Sequence, residues 1–257
     1  MKISAVIIAK DEARHIAACV RSVAFCDEVL VVDSGSTDGT PDLARAAGAR
    51  VVSTDWPGYV AQKNRAAGLA THDWILSLDA DERVDDRLRG ALETIRGGAE
   101  PSGAAFEVSR HTRCLGRWID HGGWYPEWRA RLFDRRRASW GGVDPHDRLE
   151  TAGPVVRVRD GDLEHHTYGS ISEHWAQIDR FTSIAARERL AAGRRGSLLR
   201  MLVHPPWCFF RMYVLRGGFL DGRAGFVLAR LCATYVFLKY AKVWEGTGYG
   251  REEPPRA

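Results

Sequence analysis

The chain has 257 residues, 45% of them hydrophobic, which is enough for one α/β domain with an appendage. Its five cysteines include no Cys-x-x-Cys pair, which argues against a disulfide framework or a zinc site and favours a reducing, cytosolic environment. The N-terminus opens directly into an apolar run and lacks a signal-peptide layout. The net charge of +4 lies at the C-terminal end, since residues 1–193 carry 26 Lys and Arg against 29 Asp and Glu, and residues 194–257 carry 11 against 4.

Short apolar runs alternate with amphipathic segments in the first part of the chain. Runs at 3–9, 29–32 and 51–52 predict three buried strands. Helical spacing of apolar residues predicts a helix between the first two strands, with Asp11 as its cap, and another over 41–47. Strand, helix and strand at this spacing imply right-handed βαβ units and a parallel sheet, hence an α/β fold.

A loop of small polar residues, Ser34–Thr40, follows the second strand directly after Asp33. Its glycines permit close backbone approach, and the following helix start offers free N–H groups to an anion, although an ordinary βα turn has the same composition. Neither a Gly-x-Gly-x-x-Gly fingerprint nor a Gly-Lys-Ser/Thr loop is present, which disfavours a dinucleotide or ATP site. Lys63, at the start of a predicted helix, could meet a phosphate or simply be solvated.

The most informative stretch is an apolar run that ends in three carboxylates. Trp74–Leu78 predicts one buried strand, and Asp79, Asp81 and Glu82 follow it. Ligands of α/β sheets bind at the carboxyl ends of such strands, where two aspartates separated by a small residue can converge. Paired carboxylates suit Mg²⁺ or Mn²⁺ carried by a diphosphate, although a solvated acidic turn is the simpler alternative.

The last third of the chain predicts helices with a basic, apolar surface. Helical spacing begins at Ile171 and ends near Gly193, and large apolar residues and arginines are then interleaved over 198–216 and 226–243. These patterns predict amphipathic helices that contact an anionic membrane without crossing it. A packing cap is the alternative, and nucleic-acid binding is disfavoured because the basic residues stand among large apolar ones.

Six motifs follow one another along the chain: Val31–Thr40, Gln62–Asn64, Leu78–Glu82, Gly122–Pro126, Arg131–Arg135 and Gly217–Gly222. In this order they resemble family 2 glycosyltransferases, which are inverting enzymes with the GT-A fold. The resemblance is to the branch that contains the lipopolysaccharide-core β-1,4-glucosyltransferases and covers residues 1 to about 245.

The resemblance implies roles for several residues. Asp33 matches the aspartate that recognises the nucleobase, and Asp11 lies in the first nucleotide-binding motif, where the family more often has Asn. Asp79 and Asp81 match the Asp-x-Asp pair, the first usually near the ribose and the second on the metal. Lys63 lies in a motif of the same nucleotide-sugar half, and the expected cofactor is Mg²⁺ or Mn²⁺.

An inverting transferase also needs a general base, which takes a proton from the acceptor hydroxyl. Asp147 is the first candidate, because His146 and Asp147 stand where relatives hold an acid beside the reacting centre, and Glu127 is the alternative. A salt bridge from Asp147 to Arg148 would be the structural explanation for the carboxylate. His165 or His146 could complete the metal shell, since imidazole tolerates Mn²⁺.

The predicted organisation follows from these assignments. Residues 1–170 form a GT-A catalytic domain with a Rossmann-like nucleotide-sugar half (1–98) and an acceptor half (99–170). Residues 171–245 form a helical, basic, membrane-associating extension, and 246–257 are a disordered tail. Four tryptophans of the acceptor region could stack on sugars or belong to the core, namely Trp118, Trp124, Trp128 and Trp140.

The predicted function is transfer of a hexose, most simply glucose from UDP-glucose, to a heptose of the lipopolysaccharide inner core. The enzyme would be peripheral on the cytoplasmic face of the bacterial inner membrane. Another donor, or a lipid-linked, capsule or glycoprotein acceptor, is an alternative, as is a non-catalytic sugar-nucleotide-binding regulator. A regulator would not need a base, so release of UDP on mixing with acceptors discriminates between the two classes.

Overall fold

The computed structural model describes residues 1–98, 102–144 and 146–249, without the side chains of Val143, His146 and Tyr249. By packing, the chain divides into two compact units. The first contains Met1–Arg113 and Pro126–Thr167, and the second contains Cys114–Tyr125 and the chain from Tyr168 onward. The second unit thus takes in residues 114–125, which the sequence analysis assigned to the catalytic domain.

The first unit is built on a mixed sheet with the strand order β3-β2-β1-β4-β8-β6-β11-β5. Its first four strands in this order are parallel, and β8 runs antiparallel to both β4 and β6. A separate hairpin pairs β9 with β10. The strands are β1 (Ile3–Ala9), β2 (Glu28–Asp33), β3 (Arg50–Ser53), β4 (Trp74–Asp79), β5 (Glu82–Val84), β6 (Ala105–Cys114), β8 (Glu127–Asp134), β9 (Ala138–Val143), β10 (His146–Thr151) and β11 (Val155–His166), while β7 (Arg117–Trp118) belongs to the second unit.

Four helices cover this sheet, which buries apolar residues on both faces. They are α1 (Ile16–Ser22), α2 (Thr40–Ala46), α3 (Tyr59–Leu69) and α4 (Asp86–Gly97). All seven residues of β1 are buried, as expected of a central parallel strand, and the predicted parallel βαβ units are confirmed. The prediction that Asp11 caps the first helix is wrong, because α1 begins after His15 and Asp11 has a φ of 54°.

The second unit is helical. Its helices are α5 (Ile171–Ala191), α6 (Leu198–Phe210) and α7 (Gly222–Trp244), and α7 packs against both of the others. Short helical turns follow at Arg211–Leu215, Gly218–Asp221 and Glu245–Tyr249. Of the predicted tail, 246–257, residues 246–249 belong to the last of these turns, and residues 250–257 lie outside the described part of the chain.

The sequence analysis predicted that the helices of this unit contact a membrane without crossing it. Among the described residues, the helical segment Gly218–Gly248 is long and apolar enough to cross one, with a mean hydropathy of 1.3 over its apolar window. One third of that window (33%) is buried inside the protein. Length and composition alone do not make it a span, since core helices of soluble proteins can have both.

Candidate active site

The tip of β4 is held by the side chain of Glu82. This carboxylate is fully buried, and its Oε2 accepts a hydrogen bond of 3.0 Å from the backbone N–H of Asp79. The short strand β5 starts at Glu82 and pairs with β11, so that the Asp79–Asp81 turn is closed on both sides. Asp79 and Asp81 therefore leave a fixed turn at the carboxyl end of the strand, where the sequence pattern placed them.

Asp81 meets a histidine from the last strand of the sheet. His165 Nε2 lies 3.2 Å from Oδ2 of Asp81, and its Nδ1 lies 3.2 Å from the hydroxyl of the buried Thr112. The backbone N–H of His166 also donates to the carbonyl of Asp81. Burial alone would raise the pKa of Asp81, but the neighbouring His165 outweighs it and keeps this pKa below its ordinary value. The predicted pairing of Asp81 with His165 therefore exists in space, whereas the His146 side chain lies outside the described residues.

Asp79 faces two buried cations. Its Oδ1 lies 3.3 Å from Nζ of Lys63, and its Oδ2 accepts a hydrogen bond of 2.9 Å from Arg131. Burial alone would raise the pKa of Asp79, but Lys63 and Arg131 hold it well below its usual range. Because both carboxylate oxygens already face a cation, Asp79 is less suited than Asp81 to bind a metal ion.

Lys63 joins this carboxylate to Asp147. Its ammonium donates a hydrogen bond of 2.8 Å to Oδ2 of Asp147 and lies 4.6 Å from the centroid of the Trp140 ring. Only 4% of the Lys63 side chain is exposed, against 14% for Asp147. The alternative of a salt bridge from Asp147 to Arg148 is wrong, since Arg148 pairs with Glu150. Lys63 is thus an internal bridge between two carboxylates and not a solvated surface residue.

The position of Asp147 depends on a cap supplied across the chain. The carboxylate of Asp144 accepts hydrogen bonds of 2.9 and 3.0 Å from the first backbone N–H groups of α3, those of Tyr59 and Val60. Asn64, one turn further, exchanges hydrogen bonds with the backbone of Trp140 on β9. These contacts fix the β9–β10 hairpin on α3, which brings Asp147 on β10 to Lys63.

A chain of alternating charges continues from Asp79 to Glu127. Arg131 donates to Glu82 at 2.5 Å, and the guanidinium of Arg110 lies 3.4 Å from the same carboxylate. Arg110 in turn donates to Glu127 at 2.8 and 2.5 Å. Asp147 and Glu127, the two candidate bases, therefore lie at opposite ends of one network of buried and half-buried ion pairs.

The carboxylates of Glu127 and Asp147, at the two ends of the network, differ in how many of their oxygens are ion-paired. Glu127 is held by Arg110 and also by Arg129. Burial would raise its pKa, but the two arginines outweigh this and lower it. Within the described part of the chain, Asp147 is ion-paired with Lys63 through Oδ2. The geometry favours Asp147 over Glu127 as the proton acceptor, because a general base needs a free carboxylate oxygen.

The loops after β1 and β2 are joined by side-chain to backbone hydrogen bonds. Oδ1 of Asp11 accepts from the backbone N–H of Thr37 at 2.8 Å, and Thr40 and Asp38 accept from the N–H groups of Glu12 and Ala13. The buried Asp33 accepts from the N–H groups of residues 35 and 36 at 3.0 Å each. Asp11 therefore shapes the Ser34–Thr40 loop, and Asp33 holds the loop's first turn.

Glu12 adds a further carboxylate near the strand tip. Burial and the neighbouring charges of Asp81, Asp38 and Asp79 raise its pKa to about 7. Glu12 precedes α1, and its carbonyl accepts hydrogen bonds from the N–H groups of His15 and Ile16. The field at this edge of the sheet is thus negative enough to disfavour one more ionised carboxylate.

Sequence reasoning missed Arg131, Arg110 and the locking role of Glu82. The available signal was an arginine within each of two strand-like runs, Arg110 on β6 and Arg131 on β8, because an arginine that a strand places inside the protein needs a carboxylate partner. Trp140 is buried in the core beside Phe133, so it is a core residue and not a sugar platform. Gln62 was named only as part of a motif, and its role was missed: its buried amide donates to Ser34 and Thr54 and ties α3 to the ends of β2 and β3.

A parallel sheet whose central strand ends in an Asp-x-Asp turn, continued by antiparallel strands, is the GT-A fold of glycosyltransferases. The chain belongs to glycosyl transferase family 2, whose family model matches residues 4–153. The predicted family and fold class are confirmed.

Relatives match over almost the whole chain. The lipopolysaccharide core biosynthesis glycosyltransferase LpsC of Rhizobium meliloti (strain 1021) is 29% identical over 95% of this chain and 93% of its own length. An uncharacterized glycosyltransferase of Rickettsia felis is 32% identical over 95% of this chain and 90% of its own. Among solved structures, residues 1–349 of S. aureus TarS in complex with UDP-GlcNAc match with a TM-score of 0.50 and 14% identity, over 99% of this chain and 93% of that one. That structural likeness shows the fold, and the sequence relatives show a glycosyltransferase.

Proposed function

We propose that the protein is a metal-dependent inverting hexosyltransferase that transfers glucose from UDP-glucose to a heptose of the lipopolysaccharide inner core. The observation that carries the proposal is the Lys63 bridge, which places Asp79 and Asp147 on either side of one ammonium group. A donor-binding carboxylate and a candidate base therefore face the same point. A sugar-nucleotide-binding regulator would have no use for the second carboxylate.

The acceptor class is supported by the relative from Rhizobium meliloti, which is named for lipopolysaccharide core biosynthesis and aligns over nearly its full length. Glucose as the sugar, UDP as its carrier and heptose as the acceptor rest on the motif resemblance described above. Asp11, Asp33, Lys63 and Asp79 form the donor side in this proposal, with Asp33 toward the nucleobase and Asp79 toward the ribose.

The reaction requires one proton transfer by the protein. The acceptor hydroxyl oxygen attacks the anomeric carbon, the bond from that carbon to the diphosphate oxygen breaks, and UDP leaves with the bonding electron pair. Asp147 accepts the hydroxyl proton on Oδ1, while Lys63 holds Oδ2 and fixes the orientation of the carboxylate. Inversion follows from a single displacement at the anomeric carbon.

The residues at the strand tip fit a divalent cation that arrives with the donor. Asp81 and His165 would hold it, and the Thr112 hydroxyl at the other ring nitrogen orients the imidazole. The described residues contain no group of three or more His, Cys, Asp or Glu arranged to hold a metal ion, so diphosphate and water would supply the remaining ligands. When bound, the cation stabilises the charge that develops on the leaving diphosphate.

Membrane attachment is the last part of the proposal, and it rests on the surface of the second unit. Leu198, Leu199, Leu202, Trp207 and Leu215 are each more than half exposed along α6 and the turn after it. An apolar surface this continuous is unusual for a monomer in water. Exposed arginines lie on α6 and the turn after it, at Arg200 and Arg211, and at the start of α7, at Arg223. This combination suits the headgroup region of an anionic bilayer, on the cytoplasmic face of the inner membrane.

The test is a donor screen with purified protein, Mn²⁺ or Mg²⁺, and inner-core oligosaccharide acceptors. UDP-glucose should give UDP release and a product heavier by one hexose, with a β linkage to heptose by linkage analysis. Turnover with another sugar nucleotide or acceptor would refute the specific reaction but not the transferase. UDP binding without turnover on any acceptor would favour the regulator.

A further inference from the structure

Arg131 occupies an irregular position in its strand. Phe106 on β6 pairs with Leu132 and the next residue, Glu107, pairs with Ala130, so Arg131 is the extra residue of a β-bulge in β8. On the other side, the pairing of β8 with β4 ends at Leu132. Bulges turn a side chain away from the regular alternation and are common next to active sites.

The bulge directs a charged side chain into the protein beside the Asp79–Asp81 turn. Only 4% of the Arg131 side chain is exposed, and its NH2 group contacts both Asp79 at 2.9 Å and Glu82 at 2.5 Å. Glu82 in turn holds the backbone N–H of Asp79. Arg131 therefore fixes Asp79 twice, through its carboxylate directly and through its backbone by way of Glu82.

One atom of this guanidinium is left over. Nε of Arg131 is buried and has no hydrogen-bond partner among the described residues. A purely structural clamp would be expected to use all its buried donors, because an unsatisfied buried N–H destabilises the fold. The fold therefore keeps Arg131 in this position at the cost of one unsatisfied donor.

We propose that Arg131 is a positioning residue for donor binding, which keeps the Asp79–Asp81 turn in one conformation before the UDP-sugar arrives. The inference rests on the proposed function, since it assigns Asp79 to the donor. Pre-organisation of this kind lowers the cost of ordering the turn on binding. Its loss should therefore weaken donor binding more than it slows the chemical step.

The experiment compares two substitutions, because Arg131→Met alone would leave the fully buried Glu82 with the longer 3.4 Å contact to Arg110 as its ion pair. Arg131→Lys keeps the charge without the fork geometry, and the double variant Arg131→Met/Glu82→Gln removes both charges together. Arg157→Lys is the matched control, since Arg157 pairs with Glu107 on the same sheet but is half exposed. The measurements are the KM for UDP-glucose, the KM for the acceptor, kcat, the Kd for UDP by titration calorimetry, and the Tm.

Arg131→Lys should raise both the donor KM and the UDP Kd about tenfold, with kcat and the acceptor KM within about threefold of wild type. The double variant should be weaker still, and the control unchanged. A UDP Kd and donor KM within twofold of wild type in both variants, or a fall in kcat alone, would overturn the inference. If the wild type transfers no sugar, the proposed function fails, and the UDP Kd still decides the role of Arg131.

Discussion

Replacement of Asp147 by Asn tests the assignment of the general base. The amide is nearly isosteric but cannot accept the acceptor proton, and it retains an oxygen for the hydrogen bond from Lys63. We expect kcat to fall by roughly 10² to 10⁴, the usual contribution of a general base. Because Asp147 is not expected to touch the donor, the Kd for UDP should stay within about threefold of wild type.

The structure also sets the expected change in stability. Lys63 keeps Asp79 at 3.3 Å when Asp147 is neutralised, so it is not left as an unpaired buried charge. The loss is therefore the difference between a hydrogen bond to a charged acceptor and one to a neutral acceptor, about 1 kcal/mol in the free energy of unfolding. Urea unfolding would measure it, and a variant that remains folded but inactive would separate catalysis from folding.

The assay is UDP release coupled to product mass analysis, with two further variants. Glu150→Gln is the matched control, because Glu150 is a half-exposed acidic residue of the same strand whose ion pair, within the described part of the hairpin, is with Arg148. Glu127→Gln tests the alternative base. If Asp147→Asn keeps more than about a fifth of wild-type kcat while Glu127→Gln is inactive, the reasoning from the Arg110 and Arg129 pairs is wrong and Glu127 is the base.

Three other predictions concern the metal, the membrane and pH. Excess EDTA should abolish turnover, and added Mn²⁺ should restore it; full activity in EDTA would refute a metal role. The Asp81→Ala variant should bind the metal about 10- to 100-fold more weakly, with an unchanged Tm. Wild-type protein should sediment with anionic but not with neutral vesicles. The triple variant in which Arg200, Arg211 and Arg223 are changed to Gln should stay in the supernatant. Binding that resists both salt and this change would instead implicate insertion of the apolar segment Gly218–Gly248. Burial would raise the pKa of Glu28, but hydrogen bonds from Ser4, Thr71 and Arg50 outweigh it and lower this pKa to about 2. The ionised carboxylate therefore stabilises the fold above about pH 4.5, and this contribution is lost as the pH falls toward 2. The stability difference between wild type and Glu28→Gln should shrink from pH 6 to pH 3, and a constant difference would contradict the assignment.

The parallel half of the fold was predictable because its signals are local. Each of the strands β1, β2 and β4 is a short apolar run in the sequence, and a strand buried on both faces needs nothing else to be recognised. The helix starts were less predictable. Aspartate is a common helix N-cap, but the carboxylate of Asp11 accepts a hydrogen bond from the backbone N–H of Thr37 instead. Whether a residue caps a helix depends on its backbone conformation, which the residue type does not fix.

Exposed and core positions in the second unit also could not be separated by sequence. Basic residues stand among large apolar ones over 198–216 and along α7, and the same pattern serves a packed helix or an exposed one. The structure shows that Leu198 and Leu199 are exposed whereas Leu228 and Ala229 are buried. The difference arises because α7 packs against both α5 and α6.

The sequence by itself determined the family, the parallel strands of the first half, and the placement of Asp79 and Asp81 at a strand end, because these depend on contiguous residues. The tertiary structure alone decided which charges meet. Asp147 reaches Lys63 across 84 residues because Asp144 caps α3, and Arg131 reaches Asp79 across 52 because β8 carries a bulge. Such contacts depend on strand register and on caps between distant segments, and one residue of slippage in the register would turn each side chain to the opposite face of the sheet.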